Sequence, residues 1–356
     1  MGQFSFMVHP LNLKYVTDKY SFTRWMPKPM LKGLLRIAPP FKVSTVRGIQ
    51  SPYGQAQGHF VACPVTSEQF VLLPEAVTVR KVIAAGRLAE RMGAGVVGLG
   101  AFTAVVGGGG KAVADALDIA VTTGNSYTVA TAVEGARKAV KAMNYRLEDC
   151  ALGIIGATGS IGMVCAEMLA PDVGELILMG RDDQRLQAVE HRMKERTGVF
   201  ASVFTDLSEA LPQCDIIVAA SSAYGALIEP EHLKPGAIVC DVARPRDVSE
   251  RVSQLRDDVL VIEGGIVSVP GAVDFGLDFG TPPGTCMACM AETIILAMEE
   301  RYENYTIGRD LSVEQVQTIE RLAKKHGFSV SGFRAFERQL TSEEIAGIRE
   351  RADAQR

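Results

Sequence analysis

The sequence predicts an α/β protein built on a parallel sheet buried on both faces, and three observations lead there. Between residues 150 and 262, apolar runs of strand length alternate with segments whose apolar residues recur at helical spacing. Those runs are continuously apolar, as strands covered by helices on both sides must be. Composition agrees: 35 glycines and only 6% aromatic residues suit helices packed closely on a sheet better than an all-β core.

Along the chain, residues 41–49 and 58–65 flank Ser51-Pro52-Tyr53-Gly54 and read as a hairpin. Residues 75–92 follow Pro74 and precede Gly93, the signature of a complete helix. Residues 96–99 and 119–122 are short strands, and Ser126 is placed to cap a helix ending near Asn144. Six strands are then expected at 151–155, 175–179, 201–204, 215–220, 237–242 and 259–262, with helices at 161–169 and 183–197. That set makes a Rossmann dinucleotide-binding domain. Residues 265–283 are loop-rich; helices follow at 287–302 and 313–325, and a charged tail helix after Ser342. A chain of 356 residues exceeds one core, so two domains are expected, followed by a set of C-terminal helices. Residues 1–145 form a mixed α/β substrate domain holding an acyl pocket, and 146–285 the Rossmann domain. Residues 286–356 supply C-terminal helices that pack back on the first domain and close a cleft.

Seven cysteines scattered through apolar segments do not resemble a disulfide framework. The first ten residues carry no secretory signal, and the apolar stretch 93–110 is too broken by glycine to span a membrane. A cytoplasmic protein is expected. Charge is unevenly placed. Residues 1–50 hold Lys14, Lys19, Arg24, Lys28, Lys32, Arg36, Lys42 and Arg47 against Asp18 alone, in a chain of net charge −4. These cations interleave with Phe22, Trp25, Met26, Met30, Leu34 and Leu35. Such a stretch suits an acidic protein or weak contact with an anionic membrane surface, or is simply a solvated face.

Gly156-Ala157-Thr158-Gly159-Ser160-Ile161-Gly162 stands directly after an apolar strand and before a helix. Glycines there allow a tight turn and close approach to a pyrophosphate, whose charge meets free N–H groups at the helix start. Gly156, Thr158, Gly159, Ser160, Ile161 and Gly162 are therefore the expected cofactor residues, in a GxxGxxG spacing common among NADP-using families. The second strand ends at Arg181 with Arg185 one turn on, where NAD sites place an acid. A guanidinium pairs with a 2′-phosphate, so NADPH is expected, with Asp182 and Asp183 starting the next helix.

Cys286 and Cys289 both fall in the first turn of an apolar helix, whose N-terminus would ease ionisation of a thiol. Alternatives are two small core residues, a redox pair, or half a zinc site; no second ligand pair exists, so no metal is expected. The five histidines do not cluster; His9 ends the first strand and could face the cleft, while His191 and His232 stand in polar surroundings.

These residues also carry a family likeness. The chain resembles the cyanobacterial-type long-chain acyl-[acyl-carrier-protein] reductases from about Phe4 to Phe328. The segments that carry it are Ala38-Pro39-Pro40, Thr122-Thr123-Gly124-Asn125, the glycine motif, Ala288-Cys289-Met290-Ala291-Glu292 and Lys325-His326-Gly327-Phe328. The resemblance implies an enzyme in which Cys289 takes the acyl group from acyl carrier protein, or from acyl-CoA, and NADPH reduces the bound thioester to a fatty aldehyde. It gives Cys286 no role. The N-terminal charge pattern and the tail after Ser329 depart from the family. Two other functions fit parts of the pattern: a shikimate- or amino-acid-type dehydrogenase, which would need a Lys/Asp pair and polar ligands, and an NADPH-binding regulator without turnover.

Overall fold

A computed structural model describes residues 1–355 apart from positions 224 and 279, with the backbone alone at 15, 19 and 22. The side chains of Lys19 and Phe22, counted above in the basic segment, thus lie outside the described residues. Two compact units are present: Met1–Gly124 with Val269–Asp310 and Arg321–Phe328, and Asn125–Ser268 with Leu311–Glu320 and Ser329–Arg356.

The first unit is built on a six-stranded mixed sheet, ordered Gly271–Asp274, Phe41–Ser51, Gly54–Ala62, Gly2–Val8, Val96–Gly98, Ala120–Thr122. The expected hairpin is there, antiparallel, with Ser51 opposite Gly54. Helix Glu75–Arg91 buries Val82, Ala85 and Ala89 beside Val61, Val97 and Val121 of the sheet. Helix Ala288–Met298 packs on strands Gly2–Val8 and Val96–Gly98. Two glycines permit that approach: a Cβ at Gly98 would lie 2.0 Å from Thr293 Oγ1, and one at Gly2 1.8 Å from the Ala297 carbonyl oxygen.

The second unit is a Rossmann-like α/β fold. Its six parallel strands run Leu260–Glu263, Ile238–Asp241, Ile216–Ala219, Ala151–Ile155, Glu175–Met179, Ala201–Phe204. The order reverses between Ala151–Ile155 and Ile216–Ala219, and ligands bind outside the carboxyl ends of strands at such a switch point. Leu152, Ile154, Ile177 and Ile217 are fully enclosed, as their unbroken apolar runs require.

The structure departs from the sequence reading in four places. Helix Asn125–Ala142 belongs to the second unit, where Cys240 Sγ reaches the Ala132 carbonyl, and Ser126 lies inside it rather than at its cap. Tail helix Ser342–Asp353 also joins the second unit instead of packing back on the first; Ile345 and Ala352 are buried, and Arg351 Nε donates to the Asp257 carbonyl at 2.8 Å. Helix Val313–His326 is divided between the two units. Residues 265–283, read as loop, contain the edge strand Gly271–Asp274 of the first sheet.

Candidate active site

The nucleotide-type turn sits at the switch point of the second unit. Gly156 has φ +77°, a conformation that L side chains rarely adopt, and its amide and that of Ala157 both donate to the Met179 carbonyl. A Cβ on Gly162 would come within 2.4 Å of the Gly156 carbonyl oxygen, so the helix enters too close for any side chain. Exposed Gly159 is the N-cap of helix Ser160–Leu169 and offers no side-chain cap, which leaves the first-turn N–H groups for a ligand. Ser160 Oγ accepts from Asn125 Nδ2 at 3.1 Å. Helix-start N–H groups of this kind are the donors that pyrophosphates use in dinucleotide-binding turns.

Arg181 is exposed beyond the end of strand Glu175–Met179. Asp182 caps the next helix as expected: its Oδ1 accepts from the Arg185 amide at 3.1 Å, and its Oδ2 pairs with Arg185 Nε at 3.3 Å. Arg185 is therefore engaged locally, while Arg181 stands exposed at the strand end.

Two buried carboxylates near the same strand ends escaped the sequence reading. Asp241 accepts from the amides of Ala243 and Val248, both at 3.0 Å, and Asp247 accepts from Ser221 Oγ at 2.6 Å and Ser221 N at 3.0 Å. Burial raises both, Asp241 to about 6. They hold the loops that follow strands Ile216–Ala219 and Ile238–Asp241.

In the first unit, helix Ala288–Met298 opens from Met287, which provides no side-chain cap. Cys289 is its second residue and half-buried, whereas Ala288, Met290, Ala291 and Glu292 are buried. Its thiol thus stands in the first turn of a helix whose N-cap residue, Met287, provides no side-chain acceptor. The Thr122-Thr123-Gly124 turn rests directly on it. Gly124 has φ +77°, and a Cβ there would lie 2.2 Å from Cys289 Cβ and 2.3 Å from its Cα.

Glu292, one turn along and fully enclosed, fastens the same turn. Its Oε1 accepts from Thr122 Oγ1 and, at 2.9 Å, from Thr306 Oγ1. Thr122 Oγ1 accepts in turn from the Gly124 amide at 3.3 Å, and Thr123 Oγ1 donates to the Thr306 carbonyl at 2.6 Å. Sequence reasoning gave Glu292 and Thr306 no role. The one available signal was an acid inside the apolar helix, three residues after Cys289.

Cys286 does not share the helix turn, contrary to the reading above. It lies in the short strand Thr285–Met287, fully buried, and burial pushes its thiol well up. Cys63, Cys214 and Cys240 are likewise raised to about 12 by burial. Among the described residues no disulfide forms and no group of three metal-ligating side chains occurs. His326, from the Lys-His-Gly-Phe segment, is buried between Glu299 Oε1 at 2.6 Å and Ser51 Oγ at 2.7 Å. His191 pairs with Glu195 at the surface, and half-buried His232 accepts from the Glu229 amide.

His9 packs edge-on against Phe70 and Phe102, with Nδ1 against the Pro10 carbonyl and Nε2 enclosed without a hydrogen-bond partner. Burial lowers it to about 4, so the folded protein holds it neutral. Between pH 6.5 and 4 the unfolded chain binds a proton that the folded one refuses, so stability falls as pH falls through that window. Since His9 as a residue is only half-buried, His9→Phe should gain roughly 1–2 kcal/mol relative to wild type on going from pH 7 to pH 5. Urea midpoints at the two pH values measure this; an unchanged difference would mean the imidazole is solvated.

Comparison with known proteins adds the following. The shikimate / quinate 5-dehydrogenase family model matches residues 136–262, which lie within the second unit. The chain is 33% identical over 264 residues to aminotransferase PigE of Serratia sp., a match covering 72% of this chain but only 30% of that protein's length. It is 26% identical over 313 residues to the long-chain acyl-[acyl-carrier-protein] reductase of Synechococcus elongatus, covering 82% of this chain and 87% of that protein. Among solved structures, quinate dehydrogenase from Corynebacterium glutamicum in complex with NAD matches with TM-score 0.36 and 15% identity, over 72% of this chain and 86% of that one. Among the described residues, no helix is long and apolar enough to cross a membrane.

Proposed function

We propose that this chain is an NAD(P)-dependent oxidoreductase that uses NADPH to reduce a long-chain fatty acyl thioester, delivered by acyl carrier protein, to the fatty aldehyde. The observation that carries the reading is the seat of Cys289: a partly accessible thiol in an uncapped first helical turn, clamped by Gly124 and the Glu292–Thr122–Thr306 network. The Cys289 thiolate attacks the thioester carbonyl carbon, the bond to the carrier sulfur breaks, and that sulfur leaves as the thiol. The acyl group is then held on Cys289 as a thioester. NADPH, when bound, supplies the hydride, and the aldehyde departs as the Cys289 thiolate is restored. Gly156, Thr158, Gly159, Ser160, Ile161 and Gly162 would hold its pyrophosphate, and Arg181 its 2′-phosphate.

The likeness to the Synechococcus reductase supports the substrate class, because it extends over both units. The shikimate / quinate dehydrogenase match stops at residue 262 and bears on the nucleotide part alone. The test is NADPH oxidation with palmitoyl thioesters of acyl carrier protein and of coenzyme A, with aldehyde measured directly. Aldehyde in step with NADPH loss is expected. Tight NADPH binding without aldehyde from either thioester would instead leave a regulator.

Cofactor choice is tested separately. Arg181→Ala should weaken NADPH binding roughly ten- to a hundredfold, the loss of one charge-assisted bond, while leaving NADH nearly untouched. Titration of each nucleotide decides it; equal losses for both would remove Arg181 from the 2′-phosphate.

A further inference from the structure

Helix Lys28–Ile37 has an apolar face wider than the body of the protein covers. Leu31 is buried and Leu35 half-buried beneath it. The helix is fastened there: Gln69 Nε2 donates to the Lys32 carbonyl at 2.9 Å, and Lys81 Nζ to the Ala38 carbonyl at 2.6 Å. The rest of the apolar face points outward. Met30, Leu34 and Ile37, at helical spacing i, i+4, i+7, are 61%, 40% and 78% exposed, and Trp25 just before the helix is 92% exposed. Single exposed apolar residues need no explanation, but three at helical spacing on one face, preceded in the chain by a bare tryptophan, do.

The cations of this segment occupy a different side. On a helix of 3.6 residues per turn, Lys28, Lys32 and Arg36 fall on the face opposite Met30, Leu34 and Ile37. Residues 21–42 contain five basic side chains and no acid, and Glu68 on the neighbouring helix pairs with Lys32 alone, at 2.6 Å. The stripe itself carries no cation to pair with an acidic protein, whereas on a bilayer the apolar face inserts and the long basic side chains reach back to the headgroup layer. An apolar stripe backed by a basic polar face is the pattern of a helix that lies in a lipid interface, with Trp25 at headgroup depth.

We propose that Trp25 and helix Lys28–Ile37 form a docking surface for an anionic lipid bilayer, holding the protein peripherally on the membrane. The assignment does not depend on the reaction proposed above.

The chain's single tryptophan makes the test direct. With vesicles containing phosphatidylglycerol at low salt, the full-length protein should co-sediment and its Trp25 emission should shift to the blue. Ile37→Glu, at a position too exposed to disturb folding, should weaken partitioning at least tenfold with an unchanged melting temperature. Arg36→Gln should weaken it about fivefold on anionic vesicles. The proposal is overturned if the protein ignores anionic vesicles, if Ile37→Glu binds as well as wild type, or if neutral phosphatidylcholine vesicles bind equally. A blue shift with acidic carrier protein and none with vesicles would likewise overturn it, giving the face to a protein partner.

Discussion

Cys289→Ser is expected to abolish aldehyde formation while leaving the fold and NADPH binding intact. The substitution changes one atom, so packing on Gly124 is preserved. A serine hydroxyl stays un-ionised at neutral pH even where a helix N-terminus would ionise a thiol. Incubation with acyl thioester in the absence of NADPH should add a single acyl group to the wild type, located on Cys289 by peptide mass and removed by hydroxylamine. Cys286→Ser should retain most activity, because a thiol enclosed in the core cannot reach a substrate. An active Cys289→Ser enzyme, or an adduct on Cys286, would overturn the site. Turnover with no adduct at all would mean reduction directly on the carrier-bound thioester.

Gly124→Ala should reduce turnover at least a hundredfold although it lies outside the reacting groups. A methyl at position 124 cannot coexist with Cys289 Cβ at 2.2 Å, so either the turn or the start of helix Ala288–Met298 must shift. The positive φ adds roughly 1–2 kcal/mol of backbone strain. Displacing a nucleophile by about an ångström is enough for a loss of that size. NADPH binding should survive, because the glycine motif belongs to the other unit. Alkylation of Cys289 by iodoacetamide reports the displacement independently of substrate; unchanged alkylation together with near-normal turnover would show that the turn does not position the thiol. Glu292→Gln should be milder, since the amide oxygen can still accept one threonine hydroxyl.

The nucleotide unit was legible in the sequence because its signals are local. Strands buried on both faces write themselves as unbroken apolar runs, and helix Asp183–Thr197 is bracketed by Asp182 as its cap and Gly198 in the left-handed region. The role of each glycine in residues 156–162 follows from contacts within the turn and with its adjacent strands. The surroundings of Cys289 were not legible from residue chemistry. Spacing alone could not say whether the helix begins before Cys286 or after Met287, and only burial separates an inert thiol from an accessible one. Glu292 meets Thr122 across 170 positions of sequence, and Thr306 meets Thr123 across 183. Pairings of that range depend on how strands Ala120–Thr122 and Val96–Gly98 seat the helix, which no local pattern encodes. The same holds for the basic N-terminal stretch. The sequence by itself determined its charge and apolar content; the tertiary structure decided, by covering Leu31 and leaving Ile37 bare, which of those side chains face water.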